Sequence, residues 1–255
     1  MKDRTLLARD TASADSRAPL LAIEGLAAGY AGTEILHGID LRLDAAQSVC
    51  LVGPNGAGKS TVLNAIFGFA DISRGHITIN GRDIARRDAR TRLRDERIAY
   101  VLQESSVFPD MSVEQNLRLG GHLMPSAILA NAAAERILER YPRLAARRRE
   151  PARVLSGGER RLLEIARALM MEPALLLIDE PSIGLEPRYV DLVFDMLREL
   201  QVHNGTAILL VEQNVRKGLE FADIGCVLVA GSIALSGAAG DIARDPSIGR
   251  LFLGQ

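Results

Sequence analysis

The chain has 255 residues, enough for one large domain or two small ones at a usual ~150 residues per domain. Hydrophobic residues make up 47% and charged residues 25%, the balance of a globular protein with ample core, and a formal net charge of −1 gives no footing for a nucleic-acid partner. The longest charge-free run, Ile224 to Gly240, is shorter than the ~20 apolar residues of a spanning helix and is broken by Gly225, Gly231, Ser232 and Gly237, so no segment is expected to cross a bilayer.

In chain order, residues 1–18 are polar and aperiodic and read as a flexible tail. Lys2, Asp3 and Arg4 are followed by too short an apolar stretch for a secretory signal. Ile39, Leu41 and Leu43 alternate with Asp40, Arg42 and Asp44, which predicts a strand with one wet face. Val49–Val52, Leu175–Ile178, Ala207–Val211 and Cys226–Ala230 are apolar without alternation, as expected of parallel strands covered on both faces. Cys50 and Cys226 lie in two of these runs and read as buried thiols of a reducing cytosol. Helices are predicted over Lys59–Phe67, through most of Ser112–Met170, and where Val193, Met196, Leu197 and Leu200 hold the i, i+3, i+4, i+7 spacing. The arginines at 86, 87, 90, 92, 94 and 97 are interleaved with Asp88, Asp95 and Glu96, which predicts a solvated helix face. Phe108, Pro109 and Met111 suit either a small satellite core or a groove for a partner.

Residues 53–61 read GPNGAGKST: Gly53, Pro54, Asn55, Gly56, Ala57, Gly58, Lys59, Ser60 and Thr61. This fits the phosphate-loop pattern G-x-x-x-x-G-K-[ST] after a buried strand and before a helix. Glycines let backbone N–H groups turn toward phosphate oxygens, and the helix N-terminus adds a positive dipole end. Lys59 is expected to neutralise the β- and γ-phosphates of a nucleotide, with Ser60 holding Mg²⁺. Lysine occurs only at positions 2, 59 and 217, and composition alone gives about one such match in 500 chains of this length. The strand Leu175–Ile178 runs into Asp179 and Glu180, which puts carboxylates at the strand end where open α/β sheets bind ligands. Asp179 is read as a Mg²⁺ ligand and Glu180 as the group that polarises the attacking water. A GTPase or small-molecule kinase is the rival reading, but the guanine-reading N-K-x-D finds no lysine in its setting.

LSGGE, residues 155–159, stands 23 residues (Ser156 to Asp179) before the acidic strand end and ahead of a helix expected over Arg160–Met171. Ser-Gly-Gly alone is a common turn. In this position, the chain from Leu21 to Leu253 resembles the nucleotide-binding subunits of ABC transporters. The resemblance implies an α/β P-loop NTPase of RecA-like type: a mostly parallel sheet, an antiparallel β subdomain and an inserted helical subdomain near 104–170, all in one domain over 19–255. It implies ATP and Mg²⁺ as ligands, with Tyr30 in the place of the adenine-stacking aromatic. Gln103 matches the glutamine that touches Mg²⁺ and water and contacts the membrane subunit. Ser156, Gly157 and Gly158 match the signature that caps the γ-phosphate held by the Lys59 of a second chain, so a lone chain is expected to be incomplete.

Two positions depart from the family. Glu186 replaces the D-loop aspartate, and LLVEQN places Gln213 where the switch histidine is expected. Glutamine can hydrogen-bond a γ-phosphate but cannot carry a proton. VEQN, EPSIGLEP, LSGGERRLLEIARALM and YPRLAARR together resemble the ATPases of branched-chain amino acid importers, and urea importer ATPases look similar. The expected partners are separate transmembrane permease subunits, a second ATPase subunit that is either an unlike chain or a copy of this one, and indirectly a solute-binding protein outside the membrane. The expected location is the cytoplasmic face of the cell membrane. ABC ATPases acting in DNA repair or translation carry coiled coils, second ATPase domains or basic linkers that 255 residues do not accommodate.

Overall fold

The computed structural model describes residues 18–103 and 106–253, so all but the last residue of the expected tail lies outside the described residues. Strands β1 (Leu21–Tyr30) and β2 (Thr33–Leu43) precede β3 (Ser48–Val52), helix α1 (Lys59–Phe67), β4 (Asp71–Ile79), β5 (Arg82–Asp83), α2 (Ala89–Arg94) and β6 (Ile98–Val101). A helical stretch follows: α3 (Val113–Gly120), α4 (Ala127–Arg140), α5 (Pro142–Ala145) and α6 (Gly157–Ala168). The chain then returns through β7 (Leu175–Asp179), α7 (Pro187–Asn204), β8 (Ala207–Val211), α8 (Val215–Phe221), β9 (Ile224–Val229) and β10 (Ser232–Ala238).

One sheet has the order β2-β1-β4-β5 and is antiparallel throughout. The other has the order β10-β9-β3-β8-β7-β6; β9, β3, β8, β7 and β6 run parallel and β10 pairs antiparallel at the edge. The fold is therefore α/β with a mostly parallel sheet, as the unbroken apolar runs predict, and a separate antiparallel sheet, as the resemblance implies. The uninterrupted apolar runs have a direct cause. Cys50, Val52, Leu176, Ile178, Ile208 and Leu210 point into a core shared with the helical side. Their neighbours Val49, Leu51, Leu175, Leu177, Leu209 and Val211 point into a second core shared with the antiparallel sheet.

Several boundaries differ from expectation. The alternating strand begins at Thr33 rather than Ile39, because a two-residue turn with both Ala31 and Gly32 at positive φ reverses β1 directly into β2. The strand near Cys226 is shifted to Ile224–Val229 for the same reason, a turn at Ala230–Gly231. The signature helix starts at Gly157, three residues earlier than predicted. Ser156 accepts from the Glu159 N–H while the Glu159 carboxylate accepts from the Ser156 N–H, and this capping box outweighs the poor helix propensity of two glycines. The same helix ends at Ala168, and Leu169–Met171 continue as a 3₁₀ turn.

The arginines at 86, 87, 90, 94 and 97 are exposed, but α2 covers only Ala89–Arg94, so the expected solvated helix face is limited to Arg90 and Arg94, and it fails at Arg92, which is 1% exposed. Helix α1 ends at Gly68 in the left-handed region with no basic residue in its last turn. Arg92 reaches its open end: one guanidinium nitrogen donates to the carbonyls of Ala65 (2.6 Å) and Ile66 (2.7 Å), and the others donate to Arg87 and Ala85. The cation thus satisfies carbonyls that a helix C-terminus leaves without partners. Arg92→Ala is expected to lower the free energy of unfolding by about 2–4 kcal/mol, read from urea midpoints. A loss below about 0.5 kcal/mol, the scale of surface substitutions, would contradict this assignment.

Candidate functional site

Strand β3 delivers the chain into the loop 53–58. A Cβ at Gly53 would overlap the carbonyl of Leu228, and Gly58 sits at φ 100, so both positions require glycine for a stated reason. No side chain caps α1 and its first turn holds no acidic residue, which leaves its terminal N–H groups for an external anion. Lys59 opens the helix and folds back along the loop, its Nζ donating to the carbonyls of Gly53 (2.9 Å) and Pro54 (3.0 Å). Burial pushes this ammonium below its usual range, and the carboxylates of Glu180 and Asp179 oppose that shift.

Strand β7 ends on Asp179, whose Oδ2 accepts from the Tyr100 hydroxyl at 3.4 Å and whose carboxylate lies close enough to the Ser60 hydroxyl to be influenced by it. Its Oδ1 is buried with no hydrogen-bond partner. An acceptor oxygen left open beside a serine hydroxyl and below a phosphate loop fits a hard divalent cation such as Mg²⁺. Burial raises the carboxyls of Asp179 and Glu180, and for Glu180 the charge of Asp179 adds to the rise. Glu180 turns sharply out of the strand at φ 45 while its N–H donates to Val211. Its Oε2 accepts from Gln103 Nε2 at 3.1 Å. Gln213, just past the end of β8, makes a long 3.4 Å contact through Nε2 to Asn55 Oδ1.

Asn55, Lys59, Ser60, Gln103, Glu180 and Gln213 line one cavity of about 470 Å³, together with Gly56, Gly58 and Thr61. Tyr30 does not line it; that ring is 37% exposed at the end of β1, and its hydroxyl accepts from Asn64 Nδ2 at 2.6 Å. Ile35 and Ile183 do line it, and neither carries a recognisable sequence signal. Ser156, Gly157 and Gly158 stand outside this cavity, with Ser156 and Gly157 exposed. Glu186 precedes α7 without capping it and pairs with Arg188. Phe108 and Met111 are 48% and 38% exposed and belong to neither hydrophobic cluster of the described residues.

Three buried polar side chains around the site escape sequence reading. Glu212 is 1% exposed and accepts from the Ser182 N–H (3.0 Å), the Ser182 hydroxyl (2.9 Å) and the Asn214 N–H (3.2 Å). It ties the segment after Glu180 to the one carrying Gln213. Arg161 and Glu164, on α6, form a buried ion pair at 2.9 Å. Arg161 also donates to the carbonyls of Leu102 (2.7 Å) and Asp179 (2.8 Å), while Glu164 accepts from the Ser106 N–H. The helix that follows the signature is thereby bonded to the end of β7 and to the residue before Gln103.

Residues 36–183 match the ABC transporter family. A probable branched-chain amino acid transport ATP-binding protein of Archaeoglobus fulgidus, LivF, is 35% identical over 229 residues, 90% of this chain and 96% of the relative. A high-affinity branched-chain amino acid transport ATP-binding protein of Pseudomonas aeruginosa, BraG, is 33% identical over 92% of this chain and 100% of its own length. Among solved structures, the ADP conformation of an ATP-binding cassette of an ABC transporter superposes with a TM-score of 0.82 at 26% identity, covering 93% of this chain and 100% of that one. The chain belongs to the ABC transporter family, as one of its ATPase subunits. Among the described residues no helix is long and apolar enough to cross a membrane.

Burial pushes the Glu212 carboxyl up, against the hydrogen bonds that it accepts. A carboxyl that titrates higher folded than unfolded holds more protons in the folded state, so stability falls as pH rises through that window. Glu212→Gln removes this slope. Urea midpoints of the two chains, compared between about pH 4 and pH 7, are expected to drift in favour of the variant as pH rises. A pH-independent difference would contradict a raised Glu212.

Proposed function

We propose that this chain binds Mg·ATP in the cavity of the phosphate loop and hydrolyses it as one half of a paired ATPase that energises branched-chain amino acid import through separate permease subunits. The carrying observation is the meeting of Lys59, Ser60, Asp179, Glu180, Gln103 and Gln213 around one site while the signature turn stands apart. The cargo rests on the two importer relatives and on the VEQN and EPSIGLEP segments.

In this reading the N–H groups of residues 53–61 receive the phosphates, and Lys59 exchanges its two loop carbonyls for phosphate oxygens. Asp179, Ser60 and Gln103 are the residues that would hold Mg²⁺, which supplies charge neutralisation at the β- and γ-phosphates. Glu180, held by Gln103, is placed to orient and polarise water. Gln213 offers an amide N–H to the γ-phosphate and no proton, so proton handling falls to Glu180. Tyr30, its hydroxyl held by Asn64, offers a partly exposed ring to the adenine. Ser156, Gly157 and Gly158 complete the γ-phosphate site of a second ATPase chain, which in return completes this one. The pair works at the cytoplasmic face of the cell membrane, with a solute-binding protein presenting cargo on the other side.

As the sole copy in the assembled transporter, Glu180→Gln is expected to bind ATP, to lower hydrolysis by at least about 100-fold, and to hold the two ATPase subunits closed in ATP by cross-linking. Labelled leucine uptake is lost with it. Wild-type turnover in Glu180→Gln would assign the water to another residue. Leucine uptake unaffected by loss of the chain, with urea or lipid transport lost instead, would overturn the cargo.

A further inference from the structure

Tyr189 lies in the first turn of α7 and belongs to none of the motifs above. Its ring fills the space beside Gly158 so closely that a Cβ there would overlap it, which explains a glycine at 158 independently of any ligand. The Arg188 guanidinium lies over the ring, 4.9 Å from its centroid. The ring is thus held in place, and its hydroxyl meets Ser156 Oγ at 3.1 Å.

Ser156 Oγ has one hydrogen and two lone pairs. One lone pair accepts the Glu159 N–H at 3.2 Å, and the hydrogen is directed to Tyr189. A serine that caps a phosphate must turn that hydrogen to the phosphate oxygen. Its remaining lone pair then faces the phenol, and Tyr189 can reverse its role and donate into it. The two hydroxyls would form a chain, Tyr189 O–H to Ser156 Oγ–H to phosphate, in which each bond polarises the next. Without the phenol, that lone pair loses its partner and the serine hydroxyl loses its fixed direction.

We propose that Tyr189 is a positioning residue for the signature serine, orienting and polarising Ser156 toward the terminal phosphate of a nucleotide held by the second ATPase chain. The inference rests on the paired-chain reading above. It acts at the step where ATP draws two chains together, and not where one chain first binds nucleotide.

The test uses the assembled transporter with Glu180→Gln, where ATP-driven closure is read by cross-linking across an ATP titration. Adding Tyr189→Phe keeps the ring beside Gly158 and removes only the hydroxyl. It is expected to raise the ATP concentration for half-maximal closure roughly three- to tenfold, while ATP binding by the separated chain stays at the parent value. In a Ser156→Ala background the same substitution is expected to add nothing, because its effect passes through Ser156. An unchanged closure midpoint in Tyr189→Phe, or a loss that adds in full to that of Ser156→Ala, would overturn the proposal. A Glu180→Gln parent that fails to close in ATP would instead overturn the reading on which it rests.

Discussion

Leu51, Val211 and Asp179 stand on one rung of the parallel sheet, paired β3 to β8 and β8 to β7. Everything at the site hangs from that register. One step beyond the rung the three strands release Val52 and then Gly53, Glu212 and then Gln213, and Glu180. The rung extends forward by backbone bonds from the Glu212 N–H to Leu51 and from the Glu180 N–H to Val211. A shift by one residue in β8 would turn Leu210 and Val211 toward the wrong cores, so hydrophobic burial on both faces fixes the position of the polar ends. Chemistry is thus positioned by residues that take no part in it.

Buried charge performs a second task. Arg161, Glu164, Glu212 and Arg92 are all at least nine-tenths buried, and each is paired or saturated with hydrogen bonds. Isolated charges in such places are costly, and a paired one adds little net stability over an apolar residue of similar size. What these groups add is geometry. Arg161 joins the helix behind the signature to the carbonyl of Asp179 and to Leu102, so displacement of that helix is felt on both sides of the Gln103–Glu180 contact. Glu212 does the same between Ser182 and Asn214.

Features whose cause is local were legible in the sequence. Strands buried on both faces show as unbroken apolar runs, and a phosphate loop needs its glycines and lysine in a fixed order. The capping box of Ser156 and Glu159 was also present in the letters, but two glycines concealed the helix start. Features whose cause is distant were not legible. Arg92 looks like its exposed neighbours because its partners are carbonyls of Ala65 and Ile66, 27 and 26 residues away, and a carbonyl has no side-chain signature. Glu212 reads as the polar end of a strand, and Tyr189 as an ordinary helix residue, until the facing turn is known. The Ala31–Gly32 and Ala230–Gly231 turns place alanine in a conformation it rarely adopts, so only the glycine marked them.

The central claim is that one chain carries the phosphate-loop half of one site and the signature half of another. Hydrolysis per chain across a dilution series of the purified ATPase subunits, followed beside ATP binding by equilibrium dialysis, tests it most directly. The account predicts that binding persists on dilution while hydrolysis per chain falls away as the subunits separate. Hydrolysis per chain that stays constant down to concentrations where light scattering finds only single chains would contradict it.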